Sequence, residues 1–177
     1  MPADPDLARF EQVIVPHLDA AYNLARWLTG NDQDAQDVVQ EASLRALQFF
    51  GGFRGDRGRA WLLAIVRHTC FTWLRKHRGR EPALMFDEDM HSPTSEATNP
   101  QQLLLREEDR QLLHQALEEL PVEFREVLIL REFEGLSYQQ VASVANLPVG
   151  TVMSRLARAR ARLAEALGAK APREVAT

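Results

Sequence analysis

A single cysteine, Cys70, is all the thiol chemistry in 177 residues, so no internal disulfide can form. Such sparse cysteine suits a reducing compartment, and a cytoplasmic protein is expected. The leading MPADPDLARF is acidic and carries no apolar stretch, which excludes a signal peptide from the expectation. The apolar runs are a handful of residues at most, far short of a membrane span, so no membrane insertion is expected. No stretch sustains the apolar–polar alternation of a strand. There is no glycine-rich phosphate loop, no nucleophile elbow and no carboxylate pair suited to a pocket. The expectation is therefore no enzyme, no catalytic residue, no cofactor and no small-molecule substrate. His68, Cys70 and His77 come nearest to a metal set. Helical spacing puts Cys70 about 200° round from His68. No fourth ligand stands nearby, so no metal site is expected.

What is present is an apolar fraction of 45%, typical of globular chains, and a net charge of −4 that is very unevenly spread. Residues 1–53 hold eight acids and three bases, a net of −5; residues 54–80 hold eight bases and one acid, a net of +7. Residues 81–109 hold eight acids against Arg106 alone, and residues 137–164 hold four arginines and no acid. Two basic islands are thus divided by an acidic bridge, and local charge is what a polyanion meets. Such a chain should bind free DNA poorly without a helping partner.

All convincing periodicity is helical. Phe10, Val13, Ile14, Leu18, Ala21, Leu24, Ala25 and Leu28 predict one amphipathic helix ended by Gly30. Asp32 can cap a second, with Ala35, Val38, Val39, Ala42, Ala46, Phe49 and Phe50 as its buried face and Gly51-Gly52 as its stop. A third spans residues 59–78, and its WLLAIV run suits the middle of a bundle. Proline, small polar residues and acids then make residues 79–100 read as a tether. Helical spacing resumes over residues 103–120 through Leu112, Leu113, Ala116, Leu117 and Leu120, and again over 122–133 after Pro121. The fold class predicted is all-α: two small helical domains, 7–79 and 106–167, with a flexible acidic linker over 80–105 and a frayed tail over 168–177.

The most informative stretch is LSYQQVASVANLPVGTVMSRLARARARL at 136–163, which reads as a helix-turn-helix. Ser137 and Gln140 have capping-box spacing, and Ala142 is small enough for close packing. Asn146 falls where a left-handed residue is needed, and Pro148 suits the opening of a new helix. Val152, Leu156, Ala159 and Leu163 would face the core, leaving Arg155, Arg158 and Arg162 for phosphates and base edges. The plainer alternative is a helical hairpin with a solvated basic face. On the second helix, Asp37, Gln40, Glu41, Leu44, Arg45 and Gln48 point outward, and Leu44 among charges suggests a protein contact or one stray leucine. On the third, Arg67, Phe71, Arg75 and Arg78 form a stripe flanked by His68, suited to unstacked single-stranded nucleic acid or to a snorkelling basic edge. The preceding loop, Phe53 to Gly58, is glycine-rich and basic, and it could cradle an extruded base.

With both islands located, the chain resembles the extracytoplasmic-function (ECF) group of sigma-70 family sigma factors over residues 10–167. The carrying motifs are DAQDVVQEASLRAL at 34–47, FRGDRGRAWLLAIVRHTCFTWLRKHRGR at 53–80, and ALEELPVEFREVLILREFEGLSYQQVA followed by LPVGTVMSRLARARARL. The resemblance implies that Asp37, Gln40, Glu41, Leu44 and Arg45 meet the β′ clamp helices of core RNA polymerase, with the β flap as a further contact. It implies that Phe53, Arg54, Asp56, Arg57, Arg67, His68, Phe71 and Arg75 meet the melted −10 promoter element. Ser137, Thr151, Met153, Ser154, Arg155, Ala157, Arg158 and Arg162 would meet the −35 element as duplex. Met153 stands where relatives often have Lys or Arg, and Ala64 and His68 replace polar residues of some relatives. An anti-sigma factor is an implied partner, in a stress or envelope response, and the acidic linker would lie in a basic channel of the polymerase. Two rivals are a stand-alone helix-turn-helix regulator with a sensory N-terminal bundle, and a helical enzyme with an appended DNA-binding domain. The first would footprint a palindrome as a dimer; the second would need a polar pocket.

Overall fold

The computed structural model describes residues 4–77 and 100–170, and among these every regular element is helical. Helix α1 (Pro5–Val13) starts with proline at its first position, and the Asp4 carboxylate accepts from the Asp6 amide at 3.1 Å. The single helix predicted through residues 10–28 is in fact broken. α1 stops at Val13, a 3-10 turn covers Val15–His17, and α2 is Leu18–Thr29. Pro16 is the cause, because it has no N–H to donate and its ring crowds the preceding turn. Gly30 closes α2 at φ 86°, donating to the Arg26 carbonyl at 3.0 Å.

Helix α3 (Asp32–Phe49) is capped by Asn31 rather than Asp32; the Asn31 side chain accepts from the Asp34 amide at 2.9 Å. Ala35, Val38, Ala42 and Ala46 form its buried row. Four-residue steps continue that row from Ala46 to Phe50, which turns inward in a 3-10 turn (Phe50–Gly52). Phe49, expected in the core, is left on the flank and is 61% exposed. Helix α4 (Gly58–Lys76) lies in the middle, packed by α2 and α3. Gly58 has no room for a side chain: a Cβ there would sit 2.6 Å from Val13 Cγ1 and 2.7 Å from the Val13 carbonyl.

The second half begins with α5 (Pro100–Glu118), which opens inside the stretch read as tether. α6 (Val122–Leu128) follows Pro121 and runs into a π-helical turn, Ile129–Phe133. α7 (Tyr138–Ala145) has the predicted capping box: Ser137 Oγ accepts from the Gln140 amide at 3.1 Å, and Gln140 Oε1 accepts from the Ser137 amide at 2.9 Å. Asn146 adopts φ 54°, ψ 51°, the left-handed conformation that the turn demands. The Pro148 carbonyl receives the Thr151 and Val152 amides as α8 (Val149–Lys170) begins, and α8 runs through Gly168, past the point where fraying was expected. Val152, Leu156 and Ala159 are buried, with Leu163 packed beside them.

The two helical domains rest on one another. α2 packs on α6 and the π turn, and α4 packs on α7, so one apolar cluster runs through both halves. Polar contacts stitch the seam. Arg59 Nη2 lies 2.7 Å from Glu134, and Arg67 pairs with Glu126. Arg125 donates to the Trp27 carbonyl at 2.8 Å and, within its own domain, to the carbonyls of Leu117, Glu118 and Leu120.

Candidate nucleic-acid and polymerase interfaces

Three surfaces carry the residues singled out above. On the outer side of α3, Asp37, Gln40, Glu41 and Leu44 are exposed, and Leu44 is 63% so. Arg45 is half-buried and pairs with Glu41 at 2.5 Å across one helical turn. Leu47 and Phe49, both exposed, extend the apolar part of this face. Both were assigned away from it or passed over. The helix phase alone already set Leu47 three residues beyond Leu44.

The second surface is the loop before α4 and the exposed flank of that helix. Phe53 is buried, its ring stacked with Phe50 at 5.6 Å and tilted on Trp61 at 4.9 Å. The Arg9 guanidinium covers the Phe50 ring at 5.0 Å and the Phe53 ring at 5.8 Å. Phe53 therefore forms the floor of the loop, while Arg54, Asp56 and Arg57 stand exposed around Gly55 at φ 102°. Arg54 donates to the Gly51 carbonyl at 2.6 Å, which holds the rim in place. On α4, His68 and Arg75 are exposed and Phe71 is half-buried. The Arg67 guanidinium lies 4.5 Å from the Phe71 ring centre and also bonds Glu126 across the seam. Arg78, the last member of the predicted stripe, lies outside the described residues, as does the 80–99 part of the acidic linker read over 80–105.

The third surface is α8 with the turn before it. Met153, Ser154, Ala157 and Arg158 are exposed on one side, with Arg155 and Thr151 half-buried at its edge. Ser137 is exposed, with its hydroxyl engaged in the cap of α7. Arg162 is exposed but its guanidinium sits 4.8 Å over the Phe124 ring, on the edge facing α6. Arg160, the fourth arginine of this island, is turned to Glu132 at 2.5 Å.

Three groups buried at or beside the seam have perturbed ionisation. Burial raises the Glu126 carboxyl above its ordinary value, opposed by the hydrogen bond and charge of Arg67 and by Arg155. Burial lowers the Arg125 guanidinium. The Cys70 thiol is pushed up to about 12 by burial and by the neighbouring Glu126 charge. The thiol is buried and weakly acidic, and no group of three or more His, Cys, Asp or Glu able to hold a metal ion occurs among the described residues.

A buried acid at position 126 was the least anticipated side chain beside these surfaces. It stands four residues after Val122 and four before Leu130, on the apolar row of α6, and such a placement is legible as a buried charge awaiting a partner.

Residues 13–80 match the family described as Sigma-70 region 2, and residues 110–163 match Sigma-70, region 4. The RNA polymerase sigma-H factor of Pseudomonas aeruginosa is 36% identical over 173 residues, covering 92% of this chain and 88% of that protein. The ECF RNA polymerase sigma-E factor of Escherichia coli K12 is 40% identical over 134 residues, covering 72% and 70%. The chain belongs to the ECF group of the sigma-70 family. Its fold agrees with solved members. Sigma factor RpoE of Bartonella quintana, determined with the anti-sigma factor NepR, superposes with a TM-score of 0.70 at 30% identity over 92% of this chain and 98% of that one. CnrH, determined with the cytosolic domain of CnrY, gives 0.67 at 27% identity over 93% and 91%. Sigma factors are transcription initiation factors, and this one carries its two family regions on the two helical domains described above. No described helix is long and apolar enough to cross a membrane.

Proposed function

We propose that this sigma factor seats on core RNA polymerase and directs it to promoters by using the three surfaces in different ways. The outer face of α3, with Asp37, Gln40, Glu41, Leu44 and Arg45, grips the β′ clamp helices, and the second domain rests on the β flap. Met153, Ser154, Arg155, Ala157, Arg158 and Arg162, with Ser137 and Thr151, read the −35 element in the major groove. The loop of Phe53, Arg54, Asp56 and Arg57, together with Arg67, His68, Phe71 and Arg75, takes melted −10 bases as single strand.

The observation that carries this reading is the presence of two basic surfaces on separate domains, one offering an exposed helix and the other a loop with an aromatic floor. A helix suits duplex and a ring-backed loop suits an unstacked base. Parting stacked pairs costs about 1.4 kcal/mol per step. Surfaces this small cannot meet that cost alone, so the polymerase must be present. An anti-sigma protein is the expected restraint, because a solved neighbour of the same fold, RpoE of Bartonella quintana, was determined with the anti-sigma factor NepR.

Run-off transcription with purified core polymerase and a promoter library tests the proposal. Specific transcripts should depend on this chain. Equal transcription with and without it would end the reading. A palindromic footprint without polymerase would favour the stand-alone regulator instead.

A further inference from the structure

The exposed side of α8 is poor in charge where the helix begins. Val149, Met153 and Ala157 follow one another at four-residue steps, so they form one line along the helix, and all three are exposed. Met153 is 53% exposed and Val149 38%, on the side away from the buried Val152, Leu156 and Ala159. Residues 149–154 contain no Lys, Arg, Asn or Gln, the side chains that make the usual major-groove hydrogen bonds to guanine and adenine. Thr151 is half-buried, and Ser154 donates its hydroxyl to the Thr151 carbonyl at 3.1 Å, which leaves that oxygen only to accept. In the basic island, Arg160 is turned to Glu132 and Arg162 lies over Phe124. The cation next to the apolar line is therefore Arg158, with half-buried Arg155 at its edge.

We propose that Met153, flanked by Val149 and Ala157, reads the 5-methyl group of a thymine, so that the −35 element of this sigma factor carries an A·T pair beneath the first turns of α8. The inference rests on α8 entering the major groove, as in the proposed function, and adds which base lies there. The first turns of the second helix are the part of a helix-turn-helix that reaches base edges. Thymine alone among the four bases displays a methyl group in that groove. A thioether on an unbranched stem can settle on that methyl across a range of approach angles. A G·C pair under the same side chain would lose water from its polar edge and gain no partner from the thioether, and that cost is what discriminates. Duplex DNA is the occupant that the charge favours, because the line runs down to Arg158, which a phosphate would meet.

Holoenzyme reconstituted with the full chain carries the test. It selects promoter fragments from a pool randomised over the −35 element, and each thymine of the selected duplex, on either strand, is then replaced by uracil. That replacement deletes one methyl and keeps every hydrogen-bonding group. One position should lose about fourfold in affinity, as burial of a single methyl group implies. With Met153→Ala the same replacement should make no difference. In a fresh selection Met153→Lys should trade that A·T pair for G·C, since an ammonium donates to guanine O6 and N7. A selected element without an A·T pair, a uracil scan without effect at any position, or equal sensitivity to uracil in Met153→Ala would overturn the proposal. If Met153→Ala lowered core polymerase binding and left the selected element unchanged, the apolar line would be a protein contact and the proposal would fall. Arg158→Ala separates the two levels: weaker binding of that variant to the selected element supports groove entry by α8 whatever the uracil scan gives. A pool that emerges with no −35 preference at all would sink the underlying reading as well.

Discussion

At the scale of single residues, the strictest demand in the first domain is for the absence of a side chain. Gly58 begins α4 directly beneath Val13, and both the side chain and the carbonyl of Val13 lie where a Cβ would go. A carbonyl on the backbone cannot swing aside as a flexible side chain can. Gly58→Ala should therefore destabilise the protein by about 1–3 kcal/mol, the usual cost of overpacking, and thermal unfolding measures it. An unchanged melting temperature would mean that the α1 end yields freely. The same loop contains Gly51, Gly52 and Gly55, where nothing lies within 4 Å of an added Cβ. Glycine content alone thus could not separate a packing glycine from a loop glycine. The close approach of Val13 spans 45 positions of sequence, and only the assembled fold brings it about.

Among the elements, those fixed by local chemistry were the most legible. The capping box of Ser137 and Gln140, the left-handed Asn146 and the start of α8 after Pro148 each depend on groups within a few residues. They therefore stood in the sequence as they stand in the structure. The break at Pro16 was equally local and equally readable, but a continuous apolar row across residues 10–28 masked it. Other features depend on partners elsewhere. Phe49 and Phe50 are adjacent phenylalanines, and only the ring cluster of Phe10, Phe53 and Trp61 decides that Phe50 goes in. Arg162 and Arg158 differ in the same way. Arg162 is held over Phe124 of α6, whereas Arg158 stands exposed one helical turn beyond Ser154. Under the proposed function, Arg158→Ala should weaken −35 recognition by about 1–3 kcal/mol and leave polymerase binding unchanged. Holoenzyme binding to promoters with intact or mutated −35 elements measures it, and a loss confined to polymerase binding would undo the division of surfaces on α3 and α8.

For the whole molecule the decisive feature is that the two domains are not independent. Composition and charge predicted two helical units separated by an acidic stretch, and periodicity could not show that they share a seam, since the pairing of Arg67 with Glu126 joins residues 59 positions apart. That seam has a thermodynamic signature. Glu126 is faced by Arg67 of α4, Arg155 of α8, Glu123 of its own helix and the Cys70 thiol, and burial outweighs the two arginines to raise its carboxyl above the ordinary 4.5. A raised value means that the folded chain binds this proton more tightly than the unfolded chain does. Its contribution to stability is therefore complete below the ordinary carboxyl value and is lost as pH climbs through the raised one. The sign is opposite to that of an exposed, well-paired carboxylate. Glu126→Gln removes the proton and keeps the shape, so the stability difference between the unmodified chain and this variant should shift against the unmodified chain as pH rises from about 4.5 toward neutrality. Denaturant unfolding of both chains at matched pH values gives that difference directly, and it cancels the titration of every other carboxylate common to the two. A flat difference would mean that Glu126 is as well solvated in the folded protein as in the unfolded one. A difference of opposite slope would mean that the charges of Arg67 and Arg155 outweigh the burial of the carboxyl.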